Sequence, residues 1–123
     1  MRGRGVSRGA KASPNGLERR VLATLIDAFQ DAGWRFNVDT VVAGKVPDFL
    51  RSDGLNVMVD VHGDYWHQGE KVRVRQAIFR RAGIRLVVIW ESEFKADPGI
   101  LLRRVRRATA DVRRTPATKE SYR

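Results

Sequence analysis

An alternating segment between residues 55 and 62, LNVMVDVH, constrains the fold of this chain more than any other. Every second residue from Leu55 to Val61 is aliphatic, and successive side chains of a β-strand point to opposite faces of the sheet. We therefore predict a strand over residues 55–61 with one buried aliphatic face. Asp60 and His62 then lie side by side on the opposite face, so two ionisable groups are expected near the end of this strand.

Local signals in the rest of the chain predict the order α-β-β-β-α-β-α. Asn15 is a good helix N-cap, Glu18 completes a capping-box pattern, and Gly33 is expected to end this first helix. The turn signal SDG at residues 52–54 predicts a hairpin before the alternating strand. The other predicted elements are strands at 34–42, 46–51 and 84–90, a helix at 70–82, and a last helix that starts after Asp97-Pro98 and ends near Arg113. This order predicts an α/β fold with a small mixed β-sheet flanked by helices.

The composition fits one folded domain with basic ends. A length of 123 residues leaves little room for a second domain. Residues 1–13 contain four basic residues, no acid and many small residues, so they are predicted to form a flexible basic arm. Residues 14–113 are predicted to form the folded domain, and residues 114–123 a C-terminal tail.

The residue types that are missing exclude several kinds of site. The chain has no cysteine, which excludes disulfides, cysteine-based zinc sites and cysteine nucleophiles. No apolar run approaches the roughly 18–20 residues of a membrane helix, and no apolar stretch follows the basic N-terminus as it would in a signal peptide. We therefore expect an intracellular protein, cytoplasmic or nucleoid-associated, with no membrane partner.

The strong positive charge points to a nucleic-acid partner. The formal net charge is +10, and most of the basic residues are arginines. Neutralisation of phosphates by Lys and Arg supplies most of the non-specific affinity for nucleic acid. A ribosomal or histone-like binder, or simply a basic surface, would show the same charge. The arginines predicted to contact the DNA backbone are Arg2, Arg4, Arg8, Arg73, Arg75, Arg103 and Arg107.

Acids and imidazoles cluster around the two predicted central strands. Asp48 and Asp60 could supply the hard oxygen ligands that suit Mg²⁺, which takes only one or two carboxylates from a protein. His62 and His67 are the two histidines of the chain, and an imidazole can accept or donate a proton near neutral pH. Each of these residues also has a structural interpretation, as a strand-end acid, a solvated side chain or a satisfied histidine.

The order of these residues resembles a nuclease superfamily. Pro47-Asp48-Phe49, followed after the hairpin by Asp60-Val61-His62, resembles the PD-(D/E)xK pattern, with His62 where most members have lysine. The segment HGDYWH at residues 62–67 resembles the HGxFWH loop of very-short-patch repair endonucleases, and the chain is also similar to homing endonucleases with an EDxHD motif. The resemblance implies a restriction-endonuclease-like fold and metal-dependent cleavage of DNA.

The resemblance also implies roles for individual residues. It implies that Asp48 binds the metal, that the Val61 backbone carbonyl does so too, and that Glu18 reaches the shell of metal-bound water. The two histidines match residues implicated in proton transfer, with His62 as general base and His67 assisting or protonating the leaving group. Asp60 and Asp64 have no side-chain equivalents in the repair enzymes, and either could add a metal ligand. Tyr65 and Trp66 match aromatic residues that wedge between base pairs.

Two departures from the repair enzymes limit what the resemblance implies. Their structural zinc site uses cysteines, so no structural zinc is expected here. The loop after His67 is far shorter than theirs, which favours a minimal nuclease domain without mismatch recognition. The first hypothesis is therefore a Mg²⁺-dependent DNA endonuclease, with Mn²⁺ as an alternative ion and a homing endonuclease as one option for its biological role. Its substrate would be double-stranded DNA, and a protein partner for site specificity stays open.

Two other functions compete with this hypothesis. A non-catalytic basic DNA-binding module on a nuclease fold would bind DNA with the same salt dependence and never cut it. An RNA-binding or RNA-processing protein is the weaker alternative, and competition between matched DNA and RNA would separate it from the other two.

Overall fold

A computed structural model describes residues 13–63 and 69–114. Most of the predicted basic arm and C-terminal tail therefore lie outside the described residues. In the part that is described, no helix is both long enough and apolar enough to span a membrane.

The described residues form a four-stranded mixed sheet with helices on both faces. The strands lie in the order β1-β2-β3-β4; the first three are antiparallel neighbours, and β3 and β4 are parallel. The elements in chain order are α1 (Gly16–Ala28), β1 (Arg35–Phe36), β2 (Phe49–Leu50), β3 (Val57–His62), α2 (Gly69–Arg81), β4 (Arg85–Trp90), α3 (Glu91–Ala96) and α4 (Gly99–Arg114). The predicted α/β class, with its small mixed sheet and flanking helices, is confirmed.

The alternation in β3 divides the core into two layers, as predicted. Val57 and Val59 are fully buried in a cluster with residues of α1, α3 and α4. On the other face, Met58 packs against a second cluster that contains Val72 and Phe79 of α2. Because α2 connects the parallel strands β3 and β4, it must cover this second face, and Asp60 and His62 point toward it.

The first helix begins at its predicted N-cap, but it ends at Ala28 and not at Gly33 as predicted. The Asn15 side chain accepts a hydrogen bond from the Glu18 N–H, and the Glu18 carboxylate accepts one from the Asn15 N–H, at 2.8 and 2.9 Å. A short 3₁₀ turn, Gln30–Ala32, follows the helix and ends at Gly33, which has φ +70°. The Gly33 Cα approaches Ser52 so closely that an added Cβ would lie 2.8 Å from the Ser52 Cβ.

The prediction of a strand over residues 34–42 is wrong beyond Phe36. Asn37 is buried, and its side chain takes over the local hydrogen bonding: it accepts from the Thr40 N–H at 2.8 Å and donates to the Thr40 and Pro47 carbonyls. A side chain that binds nearby backbone in this way competes with strand pairing. The chain therefore leaves the sheet after β1 and returns through a tight turn between Val42 and Lys45.

The remaining boundaries also differ from the prediction, and each difference has a local cause. β2 is two residues long instead of six, because the backbone N–H of Asp48 donates to a side chain and not to a neighbouring strand. β3 starts at Val57 because the Asp53 carboxylate accepts from the Leu55 N–H and prolongs the turn. The short helix α3 was not predicted; the Trp90 N–H donates to Glu93 at its start.

Candidate active site

The predicted ionisable cluster lines one open cavity beside β2 and β3. The cavity has a volume of about 720 Å³. Asp48, Asp60, Val61 and His62 form its floor, Glu18 of α1 and Arg75 of α2 close two sides, and the turn around Lys45 forms a rim. The structure therefore brings together residues that lie up to 57 positions apart in the chain, from Glu18 to Arg75.

Asp48 and Asp60 join the two central strands through a reciprocal pair of hydrogen bonds. The Asp48 N–H donates to Oδ1 of Asp60 at 2.9 Å, and the Val61 N–H donates to Oδ2 of Asp48 at 2.8 Å. Both residues are buried, with 5 and 1% of their surface exposed. A carboxylate is tolerated at this depth only when donors compensate its lost hydration. The two backbone amides provide part of that compensation and fix where each carboxylate points.

Arg75 supplies the compensating charge. Its Nε donates to Oδ2 of Asp60 at 2.6 Å, and its Nη2 donates to the Val46 carbonyl at 3.0 Å. The guanidinium also lies 5.5 Å from the centre of the Phe79 ring. Arg75 thereby ties α2 to the floor of the cavity. Nε and Nη2 of Arg75 thus have protein acceptors, and its predicted contact with DNA stays a prediction.

Opposing effects act on the pKa of Asp60. Burial alone raises the pKa of this carboxyl, but the neighbouring His62 imidazole and the Arg75 guanidinium favour the ionised form. The Asp48 N–H adds a further donor, and the result is a pKa below the usual range for aspartate. Asp60 therefore carries a negative charge at neutral pH in spite of its burial.

His62 lies at the end of β3, between the acid and an aromatic ring. Its Nε2 is 3.6 Å from Oδ2 of Asp60, which is an ion-pair distance and longer than a hydrogen bond. The same Nε2 is buried and has no hydrogen-bond partner in the described part of the chain. The imidazole packs against Trp90, with ring centres 5.6 Å apart. His62 therefore lies close to both the Asp60 carboxylate and the Trp90 ring.

Comparison with solved structures identifies a similar fold. The fold is similar to that of a homing endonuclease catalytic domain. The match is to the domain titled "Homing Endonuclease I-Bth0305I Catalytic Domain"; it covers 73% of this chain and 90% of that one, with a TM-score of 0.55 and 20% sequence identity. No protein-family model matches the sequence, and a search of curated proteins finds no relative. The similarity establishes a nuclease-like fold, and the roles of single residues stay predictions.

The predicted metal ligands fall into two groups. Asp48, Asp60 and Val61 lie together, with the Val61 amide in direct contact with Asp48. Asp64 lies outside the described residues, as does His67. Within residues 13–63 and 69–114, no three histidine, aspartate or glutamate side chains are placed so that they could hold a metal ion together.

Glu18 lines the cavity and also caps its own helix. Its residue surface is 5% exposed, and one carboxylate oxygen accepts from the Asn15 N–H. The capping box thus fixes the position of a side chain that lines the same cavity as Asp48. The helix-capping residue and the predicted functional acid are therefore the same residue.

The predicted DNA-binding residues are spread over several surfaces. Arg73 and Arg107 are exposed and line a separate groove beside β4. Arg103 donates to Asp97 at 3.0 Å on the surface. Tyr65, Trp66, Arg2, Arg4 and Arg8 lie outside the described residues.

Sequence reasoning missed two residues at the rim of the cavity. Asp39 and Lys45 both line it, on the segment that was predicted as strand and turn. Ala43 and Gly44, with φ values of +53° and +79°, form the tight turn that joins Val42 to Lys45. Gly44 is the sequence signal that could have found Lys45, because glycine readily adopts positive φ and marks a turn that folds the chain back on itself.

Proposed function

We propose that this chain is a metal-dependent DNA endonuclease that hydrolyses phosphodiester bonds in the cavity beside β2 and β3. The observation that supports it most is the convergence of Asp48, Asp60 and His62 from adjacent strands into one open cavity on a nuclease-like fold. Paired carboxylates next to an imidazole provide the two kinds of group this hydrolysis requires, a ligand for a cation and a proton acceptor.

The oxygen-rich donor set fits Mg²⁺, with Mn²⁺ as the alternative ion. Mg²⁺ prefers oxygen ligands and usually keeps several waters, so one or two carboxylates suffice. Asp48 is the first proposed ligand, because the Val61 amide fixes its carboxylate at the cavity wall. The Val61 carbonyl and Asp64 are proposed to add to it, and Glu18 to orient water. When bound, the ion would neutralise charge on the phosphate and lower the pKa of the attacking water.

Asp60 is better suited to positioning than to holding the ion. Its Oδ1 accepts from the Asp48 amide and its Oδ2 from Arg75, so both oxygens already have donors. We propose that Asp60 orients His62 and stabilises the proton that the imidazole accepts from the attacking water. This is the role of the carboxylate behind a catalytic histidine in other hydrolases. His67 is proposed to assist or to protonate the leaving oxygen.

The second candidate function is a DNA-binding module that does not cut. Two observations favour it. Asp60 is paired with Arg75, and no three acidic or imidazole groups of the described residues form a metal cluster. Such a module would keep the fold and the positive charge, and its DNA affinity would fall with salt in the same way.

A plasmid cleavage assay separates the two functions. Purified protein is incubated with supercoiled DNA in Mg²⁺, in Mn²⁺ and in EDTA, next to Asp48→Asn and His62→Ala variants. Metal-dependent nicking or linearisation is expected for the wild type and should fall at least about a hundredfold in both variants, since general base catalysis alone contributes 10²–10⁴-fold.

Asp27→Asn is the matched control. Asp27 is an exposed acid of α1 that does not line the cavity, so this change removes one charge without touching the site. Full cleavage by a folded Asp48→Asn protein would contradict the proposal. Salt-sensitive binding without cleavage in any metal would favour the binding module.

A further inference from the structure

A groove along the open edge of the sheet carries a second concentration of positive charge. β4 is an edge strand, and α2 and α4 flank it on opposite faces of the sheet. Five arginines line this edge groove: Arg73 and Arg80 on α2, Arg85 on β4, and Arg104 and Arg107 on α4. We propose that the edge groove binds the phosphodiester backbone of double-stranded DNA, outside the candidate active site.

Most of this charge is not neutralised by the protein itself. Arg104 is paired with Glu93, and Asp111, the other acid of the groove, is paired with Arg114. The other four arginines have no ion pair among the described residues. Arg85 also has a buried Nε without a hydrogen-bond partner in the same part of the chain. Cations that share a groove repel one another, and a row of phosphates would remove that repulsion.

The spacing of the arginines fits an extended anion and not a single ion. Arg73 and Arg80 are seven residues apart, so they lie on one face of α2 about 10 Å apart along its axis. Arg107 faces them from α4 across β4. The guanidinium is also the side chain whose planar donors best match phosphate. A polyanion that follows the edge of the sheet would contact both walls at once.

The edge itself is closed to another β-strand. Gln76 donates to the Leu86 carbonyl at 3.0 Å, and Nη1 of Arg104 donates to the Val88 carbonyl at 2.9 Å. These two carbonyls are acceptors that an added strand would require. A second copy of this chain would bring a second set of arginines to the same edge. The occupied carbonyls and the repulsion between two sets of arginines disfavour strand addition and favour an anionic polymer.

The edge groove starts next to the candidate active site. Trp90 lines the groove, and its ring packs against His62 at the end of the cavity. DNA that enters the cavity could therefore continue along β4. Binding by the groove does not depend on cleavage, so this inference stands apart from the proposed endonuclease activity.

The test compares two double variants that lose the same charge. Arg80→Gln/Arg107→Gln removes one arginine from each wall of the groove. Arg81→Gln/Arg113→Gln removes two exposed arginines of the same two helices that do not line it. Affinity for a short DNA duplex is measured by fluorescence anisotropy at several salt concentrations, after circular dichroism has shown that each protein is folded.

The groove variant should reduce the slope of log affinity against log salt by about 2, because each neutralised phosphate contributes about 0.9. The control should change it by less than half as much. Equal losses in both variants would mean general attraction by surface charge and would overturn the proposal. So would an unchanged slope in the groove variant, or polyglutamate that competes as well as DNA. If the groove binds DNA and the plasmid is never cut, only the proposed activity fails.

Discussion

Replacing Arg75 by methionine should remove a large part of the free energy of unfolding of this domain. The substitution leaves the Asp60 carboxylate buried, with 1% of the residue exposed, and removes the donor that lies 2.6 Å from its Oδ2. Removing one partner of a buried ion pair costs about 3–5 kcal/mol. A quarter of the Arg75 side chain is exposed and His62 remains near Asp60, so we expect the lower end, about 3 kcal/mol.

The assay is urea unfolding, followed by the fluorescence of the buried Trp34. A domain of this size has a total free energy of unfolding of about 5–15 kcal/mol, so a loss of 3 kcal/mol is easily resolved. The matched control is Arg73→Met, an exposed residue one half-turn earlier on the same helix that makes no ion pair within the described residues. It should change the free energy of unfolding by about 0.5 kcal/mol or less.

A double-mutant cycle checks the cause. Asp60→Asn removes the charge that Arg75 neutralises, so the loss in the Asp60→Asn/Arg75→Met double variant should be smaller than the sum of the two single losses. If Arg75→Met is as stable as Arg73→Met, the pair with Asp60 contributes no net stability. The structural role assigned to Arg75 would then be refuted.

Two further substitutions test how the rest of the fold is held together. Arg104→Met should lower the free energy of unfolding by roughly 1 kcal/mol, because its pair with Glu93 is partly exposed and therefore screened. The Arg104 hydrogen bonds lower the pKa of Glu93, so this contribution is complete above the unfolded pKa and disappears as the pH falls through the folded one. The gap between variant and wild type in urea unfolding should therefore shrink as the pH is lowered below the ordinary pKa of glutamate, about 4.3. Gly33→Ala should cost about 2–3 kcal/mol in a thermal unfolding experiment, since alanine is strained at φ +70° and its Cβ would overlap Ser52. Gly54→Ala has the same strain without an overlap and should cost only about 1 kcal/mol; equal losses would show that the contact with Ser52 is unimportant.

Local signals were sufficient for the framework of the fold. The alternation around Val57 and Val59 predicted which face of β3 is buried, because side-chain period depends only on the strand itself. The capping box at Asn15 predicted where α1 begins, since both of its hydrogen bonds join residues three apart. Features that depend on a few neighbouring residues are therefore readable from the sequence.

Features that depend on distant residues were not readable. No sequence signal near Asn37 shows that its side-chain amide donates to the Pro47 carbonyl. This hydrogen bond helps to end β1 early. The pairing of Arg75 with Asp60 was missed, because the two residues lie fifteen positions apart and meet only when α2 packs on the sheet. The sequence alone indicated which residues belong to the candidate site. Which of them pair with each other depends on the tertiary fold.

The reciprocal hydrogen bonds of Asp48 and Asp60 have a consequence for how the sheet assembles. β2 is paired to β3 at one residue couple, Phe49 with Val59, which is too little for the backbone alone to select an alignment. If β3 shifted by one residue against β2, a valine would take the position of Asp60, and both carboxylate–amide hydrogen bonds would be lost. The two acids therefore help to fix the register of β2 against β3. Once these strands are correctly aligned, the floor of the cavity is already formed.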